Sequence, residues 1–302
     1  MKSKILVELW LALLLCGDIC TSLSSSNKPP PTISRRGWSS SIVTGASLLT
    51  SVSSSSAAGG SLASKLSKRD PAVLVNSVFN VPPSAQVFPD FMKGTWDIEC
   101  KYGGYLFPST KISRDRLTAN VQVPGFQKCS IAALCDLGKD SRWQMTIDET
   151  TGLENRVSTL TSQIDSNLGY SAVAEILYNP KSNPNRLSVD FVEYKTKNAE
   201  RIELFFNARE SEMVPETGVF VCSEYMRQVT FGTGSQVGIP RQVVGNYAHF
   251  WTWRKNQDDP TVLSGNLLTA AYLDPQDAMF FEEPSKPVVV YSHVLSGLKR
   301  KL

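Results

Sequence analysis

Beyond Asp70 the chain alternates apolar and polar positions with a period of two. Trp96, Ile98, Cys100 and Tyr102 interleave with Thr95, Asp97, Glu99 and Lys101, the pattern of a strand with one buried and one wet face. Trp143, Met145 and Ile147 alternate with Arg142, Gln144 and Thr146, and Leu187, Val189 and Phe191 with Arg186, Ser188 and Asp190. Ile202, Leu204 and Phe206 repeat the spacing, and residues 219–231, 241–255, 263–273 and 288–295 are further strand candidates. Turn-forming residues separate these runs at Pro124 and Gly125, at 137–140, at Asn179 to Pro184, at 232–238 and at 258–260. No long amphipathic helix is predicted, although residues 152–164 fit a short one. The expected fold is all-β, a single antiparallel barrel of roughly nine or ten strands. Closure would remove the exposed strand edges.

The first 69 residues follow a different rule. Lys2 and Lys4 precede an apolar run from Ile5 to Cys16, the length of a signal-peptide core and short for a bilayer span. From Ser22 to Ser67, 17 of 46 residues are serine, and no acid occurs between Asp18 and Asp70. Such a stretch has too little apolar surface to fold alone. The organisation expected is a signal peptide at 1–22, a disordered transit or thylakoid-targeting segment at 23–69, and a β-barrel domain at 70–302, entered through a proline-rich arm at 70–90. Arg35 and Arg36, followed by the weakly apolar stretch 42–49, suit a twin-arginine signal. This order resembles the bipartite leader of algae with complex plastids. It implies a plastid location, the thylakoid lumen, with the stroma as the alternative.

Charge separates along the same line. Residues 1–69 hold eight Lys or Arg and two acids, whereas 70–302 hold 23 basic and 26 acidic side chains, a balance of −3. The body has no electrostatic footprint for nucleic acid. No transmembrane span is expected in the mature protein.

Gly94 and Trp96 open the first predicted strand. Gly-x-Trp at that place resembles the lipocalin and calycin signature, which implies a tryptophan sealing one end of a barrel and a cationic partner on the last strands, for which Arg254 is the candidate. Gly94 and Trp96, then Phe107 and Pro108, then Arg114 and Arg116 also resemble an uncharacterised domain family of cyanobacteria and plastids, over roughly 86–300. That family implies a setting and a fold, and no activity.

Candidate chemistry is sparse. Tyr247, His249, Trp251 and Trp253 share one face of a strand, either an aromatic cavity wall with one titratable group or a packed core with one satisfied histidine. Tyr105 and Phe107, after Gly103 and Gly104, suit a mobile lid or an ordinary hairpin. Arg114 and Arg116, on a strand, would point the same way and hold a carboxylate or phosphate, or form a salt-bridge patch around Asp115. Trp96 completes the candidate ligand-binding set. Cys100, Cys129, Cys135 and Cys222 allow three pairings; the spacing of Cys129 and Cys135 suits a small disulfide loop, and Cys100 a buried free thiol. The two histidines, His249 and His293, have no zinc-site spacing, and no metal or nucleotide cofactor is expected.

Three readings follow. The first is a plastid calycin-like protein binding an apolar or amphipathic small molecule such as a pigment, quinone or lipid. The second is a non-catalytic accessory or assembly factor of a photosynthetic membrane complex. The third is a calycin-fold enzyme acting on a pigment or lipid. No catalytic residue is assigned, because neither a nucleophile elbow nor a matched acid–base pair is present.

Overall fold

The computed structural model describes residues 61–76, 83–135, 137–197, 199–232 and 242–301. The signal peptide, most of the targeting segment and the loop over 233–238 lie outside them. Among the described residues nine strands form one antiparallel sheet: β1 (Gly94–Leu106), β2 (Ser141–Ile147), β3 (Val173–Asn179), β4 (Asn183–Phe191), β5 (Arg201–Val214), β6 (Val219–Phe231), β7 (Gln242–Lys255), β8 (Val262–Tyr272) and β9 (Val289–Lys299). Their order is β2-β1-β9-β8-β7-β6-β5-β4-β3. Three helices accompany them: α1 (Leu62–Ser67), α2 (Arg114–Ala119) and α3 (Arg156–Leu168).

The antiparallel β class is as the periodicity predicts, but the barrel is not closed. β2 and β3 are the two edges and do not pair with each other. Both pack against α3 instead, so the sheet curls and the helix takes the closing position. The chemistry of the join is specific. The outward N–H groups of Arg142, Gln144 and Thr146 on β2 donate to Ser166 Oγ (3.3 Å), Ser162 Oγ (2.9 Å) and Thr159 Oγ1 (3.2 Å) of α3. Next to β3, the N–H groups of Ala172 and Val173 donate to Asp165 Oδ1 at 2.8 and 3.1 Å. Helix hydroxyls at i, i+3 and i+7 thus serve alternate edge donors that would otherwise be unpaired. The short helix predicted at 152–164 is α3, displaced by four residues at each end. Asn155 caps its start through Oδ1 and Ser158 N–H, and Gly169 ends it with φ 81°.

Packing fills both faces of the sheet's centre. The concave face carries the main core, including Trp96, Ile98, Tyr247, Trp253, Leu267 and Leu295. The outer face of β6–β9 is apolar too, with Val219, Val221, Phe250, Tyr272 and Val290 buried under Leu62 and Leu74. Strands buried on both faces lose their alternation, which is why Val219 to Cys222 reads as a continuous apolar run.

The end of the expected disordered segment is therefore structured. α1 lies against the outer face, tied by Ala63 N–H to Glu212 Oε2 (3.1 Å) and Lys65 Nζ to Glu210 Oε2 (3.2 Å). Tyr272 Oη donates to the Leu74 carbonyl at 2.8 Å. Residues 61–69, expected to be disordered, are ordered in the structure, because burying Leu62 and Leu74 supplies the apolar contact that serine alone lacks. A chain starting at residue 77 is expected to be about 3–6 kcal/mol less stable than one starting at 61, read as a shift of the urea midpoint.

Candidate functional site

The concave face encloses a cavity of ≈ 60 Å³. One wall is the inward stripe of β7. Ring centroids step from Tyr247 to His249 (5.2 Å), to Trp251 (5.6 Å), to Trp253 (6.0 Å), the last two nearly parallel at 8°. Across from Trp253 lies Gly265 on β8. A Cβ there would come within 2.7 Å of the indole, so glycine is what lets this ring lie flat on the sheet. The predicted aromatic face of Tyr247, His249 and Trp251 thus lines a cavity, and His249 holds a hydrogen bond as well, through Nδ1 to Thr269 Oγ1 at 2.9 Å.

The opposite side carries buried charge. Glu224 Oε1 accepts from Arg156 Nη2 at 2.5 Å and from Arg209 Nε at 2.6 Å. Both guanidiniums stand over the Phe206 ring, 4.7 and 4.4 Å from its centroid. Glu154 Oε2 lies 3.5 Å from Arg156 Nε. Burial by itself would raise the Glu224 carboxyl, but Arg156 and Arg209 outweigh it and hold it at about 2. Burial dominates at Glu154 and raises its pKa despite Arg156. Desolvation lowers His249 to about 3, against the pull of Glu224, so the imidazole is neutral.

Arg209 reaches this cluster through a β-bulge. The β5–β6 register shifts between Phe206 and Ala208, so Phe206 and Arg209 point to the same face and Arg209 sits directly opposite Glu224. Sequence reading missed Glu154, Arg156, Arg209 and Glu224, since nothing in the alternation announces the bulge.

Two residues lining the cavity carry buried polar atoms with no partner in the protein: Trp143 Nε1, a donor, and His249 Nε2. Irregular segments complete the enclosure, Gln86 and Phe88 from the arm and Ala132 and Ala133 from the loop after α2. The loop is pinned by Ala132 N–H to Gln228 Oε1 (3.0 Å), which also accepts from Tyr247 Oη (2.9 Å).

The other predicted site residues fall elsewhere. Trp96 is fully buried on β1, its Nε1 donating to the Met92 carbonyl at 2.8 Å. The cation over its ring is Lys299 Nζ on the last strand, 5.5 Å from the centroid; Arg254 is exposed on β7 instead. Tyr105 belongs to the end of β1, and Phe107 follows it directly. Arg114 lies 5.6 Å from both rings and donates to Tyr105 Oη at 2.9 Å, so this stretch is pinned and is not a free lid. Residues 114–116, which would have to be a strand for the two arginines to share a face, lie in the helix α2, capped by Ser113 Oγ. Two residues apart on a helix face away from each other, and Arg116 is occupied by Glu282 at 2.7 and 3.0 Å. The two arginines therefore do not converge on one anion.

All four body cysteines are buried and free. Burial raises the Cys100 thiol to about 12. Among the described residues no group of three or more His, Cys, Asp or Glu side chains is placed to hold a metal ion. No described helix is long and apolar enough to cross a membrane.

Comparison with curated proteins and with solved structures finds no match. Residues 154–300 do match a family model, that of DUF6816, a domain of unknown function, which takes in Glu154, α3 and β3–β9 and leaves β1, β2 and the loop between them outside.

Proposed function

We propose that this protein is a calycin-like binding protein of the plastid, and that its ligand is a small amphipathic molecule. The observation that carries the reading is the pairing of an aromatic wall with two lining residues, Trp143 and His249, that each keep a buried ring nitrogen without a partner in the protein. Rings supply apolar contact area, and a buried polar atom left unpaired costs about 1–3 kcal/mol until a ligand group or water meets it. Arg156, with Glu224 and Glu154 beside it, makes the far wall polar. A space of ≈ 60 Å³ is well below the ~300 Å³ at which pockets enclose drug-sized ligands. It admits a compact polar ring or head group, and a pigment, quinone or lipid tail would require the arm or the 126–135 loop to move aside. The serine-rich, acid-poor leader supports the plastid setting, with the thylakoid lumen as the preferred compartment.

Gentle purification from native cells, followed by native mass and absorption spectra, tests this. A co-purifying molecule near one per chain is expected, and Trp143→Phe with His249→Asn is expected to lose it at least tenfold in affinity. The small size of the cavity favours a second reading, a filled scaffold that acts as an accessory factor for a photosynthetic membrane complex. An adduct-free, colourless protein that instead co-migrates with a membrane complex would overturn the binding reading in favour of this one.

A further inference from the structure

We propose that Cys129 and Cys135 are a dithiol–disulfide pair that locks the loop capping the cavity. The inference deepens the binding reading and rests on it only for what the cap encloses.

The geometry comes first. Cys129 N–H donates to the Cys135 carbonyl at 3.4 Å. A backbone bond between two residues brings their Cα atoms into the range that disulfides span, about 4.4–6.8 Å. Both side chains are buried at the same end of the loop, where the Cys135 thiol donates to the Ala132 carbonyl at 3.4 Å. The segment they bracket is the cap itself. Ala132 and Ala133 line the cavity. Gln228 Nε2 donates to the Cys129 carbonyl at 2.6 Å, and Asn167 Nδ2 on α3 donates to the Ala133 carbonyl at 2.8 Å. The loop is thus held to β6, β7 and α3 by hydrogen bonds that exchange with water when it lifts.

The two sulfurs are unequal. The Cys135 hydrogen bond, with help from exposed Lys128, lowers the Cys129 thiol against the effect of burial. Cys135 is raised, by Cys129 and by burial. Cys129 also sits at φ 60°, in the left-handed region that non-glycine residues rarely adopt. With the Cys135 thiol held by the Ala132 carbonyl and Lys128 next in the chain, Cys129 is the attacking sulfur once the cap lifts and exposes it, and Cys135 the resolving one.

The oxidant is a small-molecule or protein disulfide, R–S–S–R. The Cys129 thiolate attacks one sulfur, forming Cys129–S–S–R and releasing RS⁻, which takes up the proton that Cys129 lost. Cys135, giving up its proton, then attacks Cys129 Sγ and expels the second RSH. The cysteine sulfurs lose two electrons, R–S–S–R gains them, and both thiol protons end on the two RSH molecules. Oxidised, the ends of the seven-residue segment 129–135 are joined covalently, so the lifted cap has less freedom to gain and the hydrogen bonds that seat it open less often. Reduced, only hydrogen bonds hold it.

The test equilibrates the chain from residue 61 in glutathione buffers from fully reducing to fully oxidising. Peptide mapping reads which sulfurs pair, and hydrogen exchange reads the Ala132 amide. The expected result is a 129–135 disulfide in oxidising buffer and at least tenfold slower exchange at Ala132, with Cys129→Ser showing the reduced rate in both buffers. No disulfide, or one using Cys100 or Cys222, overturns the pair as a redox site. A 129–135 disulfide with unchanged Ala132 exchange overturns the lock. No ligand is present in this measurement, so a cavity that binds nothing leaves its outcome untouched.

Discussion

Acidification from pH 6.5 to about 4 is expected to remove about 4–7 kcal/mol of folding stability, through two buried histidines. His249 and His293 are each at most 3% exposed. Desolvation lowers them from 6.5 to about 3 and about 4. The sign follows from proton counting. Below pH 6.5 the unfolded chain binds protons that the folded chain refuses, so stability falls with pH until the folded values are reached, by about 1.4 kcal/mol per unit per group. The surroundings do not reverse this. His249 faces Glu224, Thr269, Arg156 and the ring of Tyr247, and the pull of Glu224 does not offset desolvation. His293 lies 5.4 Å from the Tyr102 ring, with the pull of Asp140 too weak to offset desolvation and neither ring nitrogen bonded. Glu154, raised by burial, opposes the trend above its unfolded value of 4.5. Glu224, held near 2, adds to it once the pH falls below 4.5. Urea midpoints at one-unit steps from about pH 7 to about pH 4 read the slope. His293→Phe is expected to remove about half of it, and to be neutral or stabilising at pH 7 because two unpaired nitrogens disappear. A wild-type midpoint that is flat over this range would show that the histidines are hydrated in the folded state.

Glu224→Gln is expected to cost about 3–5 kcal/mol at neutral pH. The carboxylate serves two guanidiniums from a single oxygen, and Arg156 and Arg209 are buried with it, their side chains 12% and 4% exposed. Removing its charge leaves two cations against Phe206 with only Glu154 to compensate. Arg209→Lys is expected to be costly too. Arg209 also donates to the carbonyls of Ser84 and Pro184, a fork that an ammonium cannot reproduce. The control is Glu99→Gln, which removes the partner of the exposed Arg142 and is expected to unfold with wild type. Equal midpoints for the two variants would falsify the account of the cluster as a buried ion triad.

Strand identity and facing were largely legible, because the alternation of Trp96, Ile98 and Cys100, or of Trp143, Met145 and Ile147, is a local consequence of the pleat. β3 was not among the strands predicted. It is an edge strand with only Ile176 buried among its seven residues, so it has no apolar face to advertise. α2 was misread because three charged or polar residues fit a strand as well as a helix, and the Ser113 cap decides between them. α3 gave a weak amphipathic signal for a physical reason. Thr159, Gln163 and Asn167 are buried on it, and Thr159, Ser162 and Ser166 are spent on strand donors, so much of its inner surface is polar.

The candidate site was legible by halves. The stripe of Tyr247, His249 and Trp251 could be read directly, since it needs only the period of two. Whether it faced a cavity or a packed core depended on what stood opposite, and that came from α3, the arm and the loop after α2. Arg209 and Glu224 look like any solvated pair in the sequence, because their facing depends on a bulge between Phe206 and Ala208 that the alternation does not announce.

By itself the sequence determined every strand but β3, their inward faces and the charge boundary near residue 69, all of which follow from near-neighbour patterning. Tertiary structure decided the rest: that the sheet stays open with α3 against both edge strands, that Leu62 and Leu74 cover a second apolar face, and that Glu154, Arg156, Arg209 and Glu224 meet inside. Those outcomes turn on register, bulges and packing between segments far apart in the chain, where no local period carries the information.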